Sequence, residues 1–222
     1  MTADNILAEA FRFCREQSLD ALTMPQLASF MEVGVTSIYW YFKSKDELLE
    51  AMSRAAFIRF AELTEVDLSG RWDEILRRYF RVFRDVLEAD PVLCDFIVVR
   101  VELARSTDHI EPTLRHLDEI AGVLVGAGFT HEQALLGYNS LSLYTRRAIH
   151  ADRLREASVH ERGFIGGLRG QLTRSVADEP PNLARGLDES TLDDNDEFEF
   201  GMNLIISGLH ALLAESGTAN KA

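Results

Sequence analysis

The chain has 222 residues, of which 46% are apolar, enough for a sizeable core and too many for wholesale disorder. Its balance is acidic, 23 Lys+Arg against 36 Asp+Glu, for a formal charge of −13. That charge excludes indiscriminate coating of nucleic acid by a global positive field. The length allows one large domain, or a small domain attached to a larger one. The longest uncharged apolar run, Ile120 to Phe129, is too short for a membrane span of about 20 residues. No signal peptide is read at the start, so a cytoplasmic protein is expected. Cys14 and Cys94 are too few for a disulfide framework and read as reduced thiols, with redox sensing as the alternative.

Apolar residues recur at helical spacing almost throughout, and no alternating strand pattern is read, so the expected fold class is all-α with about ten helices. The first helix is predicted over 4–18, with Leu7, Ala10, Phe11 and Cys14 as its apolar stripe. The second is predicted over 23–31. Thr23 with Gln26 matches a capping box, and Pro25 sits in the first turn, where its missing N–H costs nothing. A short break at Glu32-Val33-Gly34 leads to a third helix over 35–42. Ser44 with Glu47 caps a fourth helix that runs to about Glu65. Helices are then predicted over 71–89, 91–105 and 111–126. Another starts at a Thr130/Gln133 box and runs to about Glu156, and a further one spans 158–176. The stretch 178–199 has nine carboxylates, one arginine and two prolines, and is expected to be a solvated loop leading into a last helix over 196–215.

Two short helices joined by a tight turn, over 22–42, make a helix-turn-helix pattern. Leu27, Met31 and Ile38 are placed to pack on the first helix and set the angle of the third. The other face, with Thr36, Ser37, Tyr39, Trp40 and Tyr41, is too aromatic and polar-tipped to be core alone, whereas Phe42 is assigned to the core. A helix of this length fits the major groove end-on.

Thr23, Gln26, Leu27 and Ala28, then Val33, then Ile38, Tyr39, Tyr41, Phe42, Lys43, Ser44, Lys45 and Leu48 resemble the signature of the tetracycline-repressor-like (TetR) transcriptional regulators. The motif covers about an eighth of the chain. The resemblance implies a DNA-binding domain over 1–52 and a larger helical effector-binding and dimerisation domain over 53–222. It further implies a ligand-responsive homodimeric repressor on a palindromic double-stranded DNA operator. Thr36 and Ser37 would meet base edges, and Val35 a thymine methyl. Tyr39, Trp40 and Tyr41 would meet phosphate or sugar. Lys45 and Thr23 sit at helix N-termini, where phosphates bind. Lys43, by default a solvated charge, joins this set.

There are departures from the family pattern. Glu32 stands where the turn commonly has Gly, so it must adopt φ > 0 or the turn must differ. The third helix has no Arg, Asn or Gln for bidentate base contacts, which shifts weight to hydroxyls, apolar contacts and DNA shape.

The last helix carries one apolar stripe of Phe198, Met202, Ile205, Leu209 and Leu212 and another of Phe200, Leu204 and Ala211. Gly201 and Gly208 would admit a close neighbour. The alternative to a subunit interface is a central core helix. By resemblance, this helix and the one after Thr130, with Gly137 and Ser140, would form the dimer interface. Also by resemblance, an unknown small-molecule effector would be lined by Tyr79, Phe83, Phe96, Arg100, Leu117, Tyr138, Asn139 and Tyr144. No catalytic residues, cofactor or metal set are read, and His109 and His116 alone make no metal site. Other readings are a different helix-turn-helix class, such as a recombinase or nucleoid factor, and a helical small-molecule-binding protein or enzyme without a DNA role. The acidic excess is uneven: residues 178–199 carry −8, whereas Val33 to Lys45 has no carboxylate and two lysines.

Overall fold

The structure, a computed structural model, describes residues 1–99, 111–156, 165, 168, 181–190 and 193–219. All regular structure among these is helical. The chain divides into two compact units, Met1–Asp67 with Arg81–Glu119, and Leu68–Phe80 with Ile120–Ala222.

In the first unit, α1 (Ala3–Glu16) is capped by Thr2 and buries Ile6, Ala10, Phe13 and Cys14. The expected stripe is therefore rotated, because Leu7 and Phe11 are only half-buried. The reason is that α1 packs on several partners, and one periodicity cannot rank two overlapping faces. Phe13 meets Phe30 edge-on at 5.3 Å, while Phe11 meets Phe96 at 6.1 Å. Thr23 caps α2 (Met24–Phe30), accepting from the Gln26 N–H and donating to the Gln26 Oε1. Leu27 and Ile38 are fully buried, whereas Met31 is half-buried as the residue ending α2.

The turn after α2 is a Schellman motif: Val33 N–H donates to the Ala28 carbonyl and Glu32 N–H to that of Ser29. Its left-handed position is Glu32, at φ 56°. The third helix, α3 (Val35–Tyr39), is shorter than expected. Ser44 accepts from the Glu47 N–H to cap α4 (Lys45–Leu63), and the Glu47 carboxylate reaches back to the Lys43 N–H at 2.6 Å. Helix α4 buries Leu48, Met52, Ala56, Phe57 and Phe60.

Helix α5 (Trp72–Ala89) begins in the second unit and ends in the first, where Phe83 meets Phe60 edge-on at 4.9 Å. Asp90 caps α6 (Pro91–Cys94), which widens into a π-turn at Asp95–Val99. The single helix expected over 91–105 is thus interrupted, and its remainder lies outside the described residues. Helix α7 (Glu111–Gly126) follows. Cys14 and Cys94 are both buried thiols, and burial, with Asp95 nearby, pushes the Cys14 thiol up to about 11.

In the second unit, α8 (His131–Glu156) starts at a reciprocal Thr130/Gln133 capping box. The helix expected over 158–176 lies outside the described residues, apart from Ile165 and Leu168. The expected loop over 178–199 instead holds α9 (Pro181–Glu189), whereas α10 (Asp194–Ala219) starts within two residues of the expected 196. Asp193 accepts from the Asp196 N–H at 2.8 Å and so caps the start of α10.

Helix α10 packs on α8. Tyr144 stacks on Phe198 at 5.6 Å and donates its hydroxyl to the Glu197 and Phe198 carbonyls. A Cβ at Gly201 would lie 2.2 Å from the Tyr144 oxygen, so this position admits only glycine without rearrangement. The start of α5 is tied to α10 as well. Arg77 donates to Asn203, and buried Asp73 pairs with Arg71, Arg77 and His210. Burial alone would raise the Asp73 carboxyl, but hydrogen bonds from Arg71 and His210 hold it below its ordinary value.

Two stability predictions follow from these ties. Glu32→Gly should stabilise the protein by about 1 kcal/mol in urea unfolding, since glycine takes the left-handed position without strain. Asp73→Asn should lose about 1–2 kcal/mol near pH 7. That deficit should shrink as pH falls below the ordinary carboxylate range and wild-type Asp73 protonates, because the contribution of a depressed carboxyl exists only above that range.

Candidate nucleic-acid interface

Five residues cannot nucleate a helix by themselves. Helix α3 is held because Ile38 is fully buried and both flanking turns are tied. Beyond its last turn, the Lys43 ammonium donates to the Tyr39 and Trp40 carbonyls, at 3.2 and 3.0 Å. This satisfies acceptors that the helix end leaves open and places a cation at the negative end of its dipole.

The outward side of this short helix is the candidate site. Trp40 is 76% exposed, and Tyr39 and Thr36 are exposed, whereas Val35 and Ser37 are half-buried with part of each side chain accessible. Trp40 meets Tyr41 edge-on at 5.8 Å. Thr23 and half-buried Lys45 stand at the N-termini of α2 and α4, where free backbone N–H groups favour an anion.

Two members of the predicted set have other engagements. The Tyr41 hydroxyl donates to the Met1 carbonyl at 2.6 Å, so it ties down the chain ahead of α1. Lys43 closes the end of α3 and is not an outstretched cation. Spacing alone showed neither, because both depend on where a long side chain folds back. Phe42 is buried, as assigned. Glu32 adopts the left-handed conformation that its place in the turn requires.

The predicted effector residues are divided between the two units. Phe83, Phe96 and Leu117 belong to the first unit, and Tyr79, Tyr138, Asn139 and Tyr144 to the second. Phe83 and Phe96 are core, and Leu117 is half-buried. Tyr79 and Tyr138 are buried with their hydroxyls 3.2 Å apart, and burial raises the Tyr138 hydroxyl above its ordinary value. Asn139 is exposed, and Tyr144 is spent on the backbone of α10. Arg100 and His109 lie outside the described residues. Mixed aromatic and polar composition fits a core as well as a cavity wall. No cluster of three or more His, Cys, Asp and Glu able to hold a metal occurs among the described residues.

The expected dimer stripe also needs correction. Phe198, Met202 and Leu209 are buried within the chain, and Leu209 packs against Gly137. Ile205 is half-buried. Ser140 and Leu212 are exposed, as is the second stripe, Phe200 and Leu204 at about 60%. On α8, Leu135, Leu136 and Leu143 are exposed apolar residues that the sequence reading passed over. Their signal was the spacing of Leu136, Ser140 and Leu143, an i, i+4, i+7 face.

The comparisons with known proteins agree with this layout. Residues 6–52 match the N-terminal model of bacterial regulatory proteins, tetR family, and residues 67–213 match the tetracyclin repressor-like C-terminal domain. The chain is similar to an HTH-type transcriptional repressor of Mycobacterium tuberculosis, 32% identical, with 97% of this chain and 83% of the relative covered. A possible TetR family transcriptional regulator of Streptomyces coelicolor superposes with a TM-score of 0.73 at 28% identity, covering 95% of this chain and all of that one. ActR of the same organism, solved in complex with actinorhodin, superposes with a TM-score of 0.68 at 27% identity, covering 95% and 97%.

The exposure of Trp40 supplies a direct probe, since Trp72 is the other tryptophan. In a Trp72→Phe variant, acrylamide should quench Trp40 efficiently in the free protein and less once DNA is bound. Equal quenching with and without DNA would show that Trp40 is not at the interface.

Proposed function

Because the chain belongs to the tetR family of bacterial regulatory proteins, we propose that it is a homodimeric repressor that presents two copies of α3 to a near-palindromic operator and releases it on binding a small molecule. It is a DNA-binding transcriptional regulator, and no catalytic role is assigned to it. We take 1–52 as the DNA-binding domain and 53–222 as the effector and dimerisation domain, acting in the cytoplasm. Among the described residues no helix is long and apolar enough to cross a membrane.

The single observation that carries this reading is α3 itself: a helix pinned by buried Ile38, with its hydroxyl and aromatic side chains turned outward. In this reading Val35, Thr36 and Ser37 meet the bases. Tyr39, Trp40, Thr23 and Lys45 meet the backbone, while Tyr41 and Lys43 brace the helix that does the reading. With no long polar fork on α3, hydroxyls, methyl contacts and DNA shape supply the discrimination.

The outward apolar side chains of α8 and α10 support a dimer. Leu136, Leu143, Phe200 and Leu204 are large, exposed and apolar, beside small Ser140 and Gly208. A Cβ at Gly208 would meet nothing within 4 Å, which leaves room for a second helix pair. Such a patch is costly to leave in water and is suited to its own copy in a two-fold arrangement. For the effector, the buried Tyr79–Tyr138 hydroxyl pair offers polar groups in aromatic surroundings, the composition of a small-molecule site. The effector lowers operator affinity only by preferring the conformation that separates the two α3 helices wrongly.

The test is a mobility shift with DNA from upstream of the protein's own gene. A sequence-specific shift is expected, and its absence at low salt with dimeric protein would sink the reading. Lys45→Ala should weaken binding to all sequences and reduce the slope of log affinity against log salt by about one unit; an unchanged slope removes Lys45 from the phosphate contacts. Leu204→Glu should sediment as a folded monomer, and a persisting dimer would place the interface elsewhere.

A further inference from the structure

A cleft of 380 Å³ opens inside the first unit, where α1, α4 and the start of α6 meet. Its volume falls in the range of about 300–1,000 Å³ usual for small-molecule sites. Leu7 and Phe11 of α1 and Leu93 of α6 line it, which explains why Leu7 and Phe11 stop short of full burial. None of these belongs to the effector residues considered above.

The charges around this apolar lining are unequal in their commitments. Asp90 accepts from the Val92 and Leu93 N–H groups and lies 3.8 Å from Arg15. Asp4 is in the first turn of α1, where the helix dipole already favours a carboxylate. Arg59, exposed on α4, has no ion pair or hydrogen bond among the described residues. The cleft therefore combines a hydrocarbon wall with a guanidinium that no described carboxylate pairs directly. A guanidinium offers two parallel donors that match a carboxylate.

We propose that this cleft binds a monoanionic amphiphile, with its carboxylate on Arg59 and its hydrocarbon body against Leu7, Phe11 and Leu93. Its position gives the site a consequence. Arg59 and Lys45 lie on one uninterrupted helix, about 21 Å apart along its axis. A molecule seated between α1 and α4 acts on the helix whose first turn faces the operator. This coupling rests on the DNA-binding reading, whereas the binding itself does not.

Decanoate is a suitable probe and decan-1-ol its uncharged control, both below micelle-forming concentration, titrated calorimetrically into the full-length protein without DNA. Decanoate should bind at least about tenfold more tightly than decan-1-ol, and Arg59→Gln should weaken decanoate about tenfold without altering decan-1-ol. Methyl resonances of Leu7 and Leu93 should shift on saturation. No binding, equal affinity for acid and alcohol, wild-type affinity in Arg59→Gln, or shifts confined to other methyls would overturn the proposal. With upstream DNA added, decanoate should change DNA affinity in the wild type but not in Arg59→Gln. Bound decanoate with unchanged DNA affinity would overturn the coupling, while failure to bind DNA without decanoate would count against the regulator reading alone.

Discussion

The proposed recognition turns on keeping a helix of only five residues in one orientation. Such a helix has too few internal hydrogen bonds to persist in water. Here its stability is supplied from outside, by the complete burial of Ile38 and by ties at both ends. Upstream, the Schellman motif stops α2 and swings the chain through Glu32, at a local cost of about 1–2 kcal/mol for a non-glycine left-handed residue. Downstream, the Lys43 ammonium caps α3 while Ser44 and Glu47 start α4. Remove these and the outward side chains lose the fixed geometry that sequence-specific contact requires.

The same constraint reconciles an acidic protein with a DNA target. The net charge of −13 repels a polyanion at long range, so affinity must come from short-range contacts. Over Val33 to Lys45 no carboxylate opposes approach. The few cations nearby are largely committed, Arg12 to Glu9 and Lys43 to backbone carbonyls, so the proposed phosphate contacts rest on Lys45 and the N-termini of α2 and α4. Such a surface favours discrimination over raw affinity, since little of its attraction is independent of sequence.

The helical fold class and the helix-turn-helix were legible because their signals are local. Capping boxes at Thr23, Ser44 and Thr130, Pro25 in a first turn and the aromatic block after Ile38 each act within four residues. What the sequence hid was long-range or orientational. Leu7 and Phe11 lie on α1 beside a cleft that no periodicity announces. The π-turn after Cys94 interrupts an unbroken apolar pattern. The acidic stretch 178–199 was expected to be a loop ahead of the last helix because its carboxylates look solvated, yet it also holds α9. On α10 itself two apolar stripes were visible, but only packing shows that Phe198, Met202 and Leu209 turn inward and Phe200 and Leu204 outward.

Hydroxyl-radical footprinting of the upstream DNA tests whether two copies of α3, held at a fixed separation, read DNA. Two protected patches are expected, with centres separated by a whole number of helical turns, each turn about 10–10.5 base pairs. Replacing Ile38 with alanine should abolish the footprint while far-ultraviolet dichroism shows the remaining helices intact. Full protection by the Ile38→Ala protein, or a footprint that spreads evenly along the DNA without paired patches, would contradict this reading.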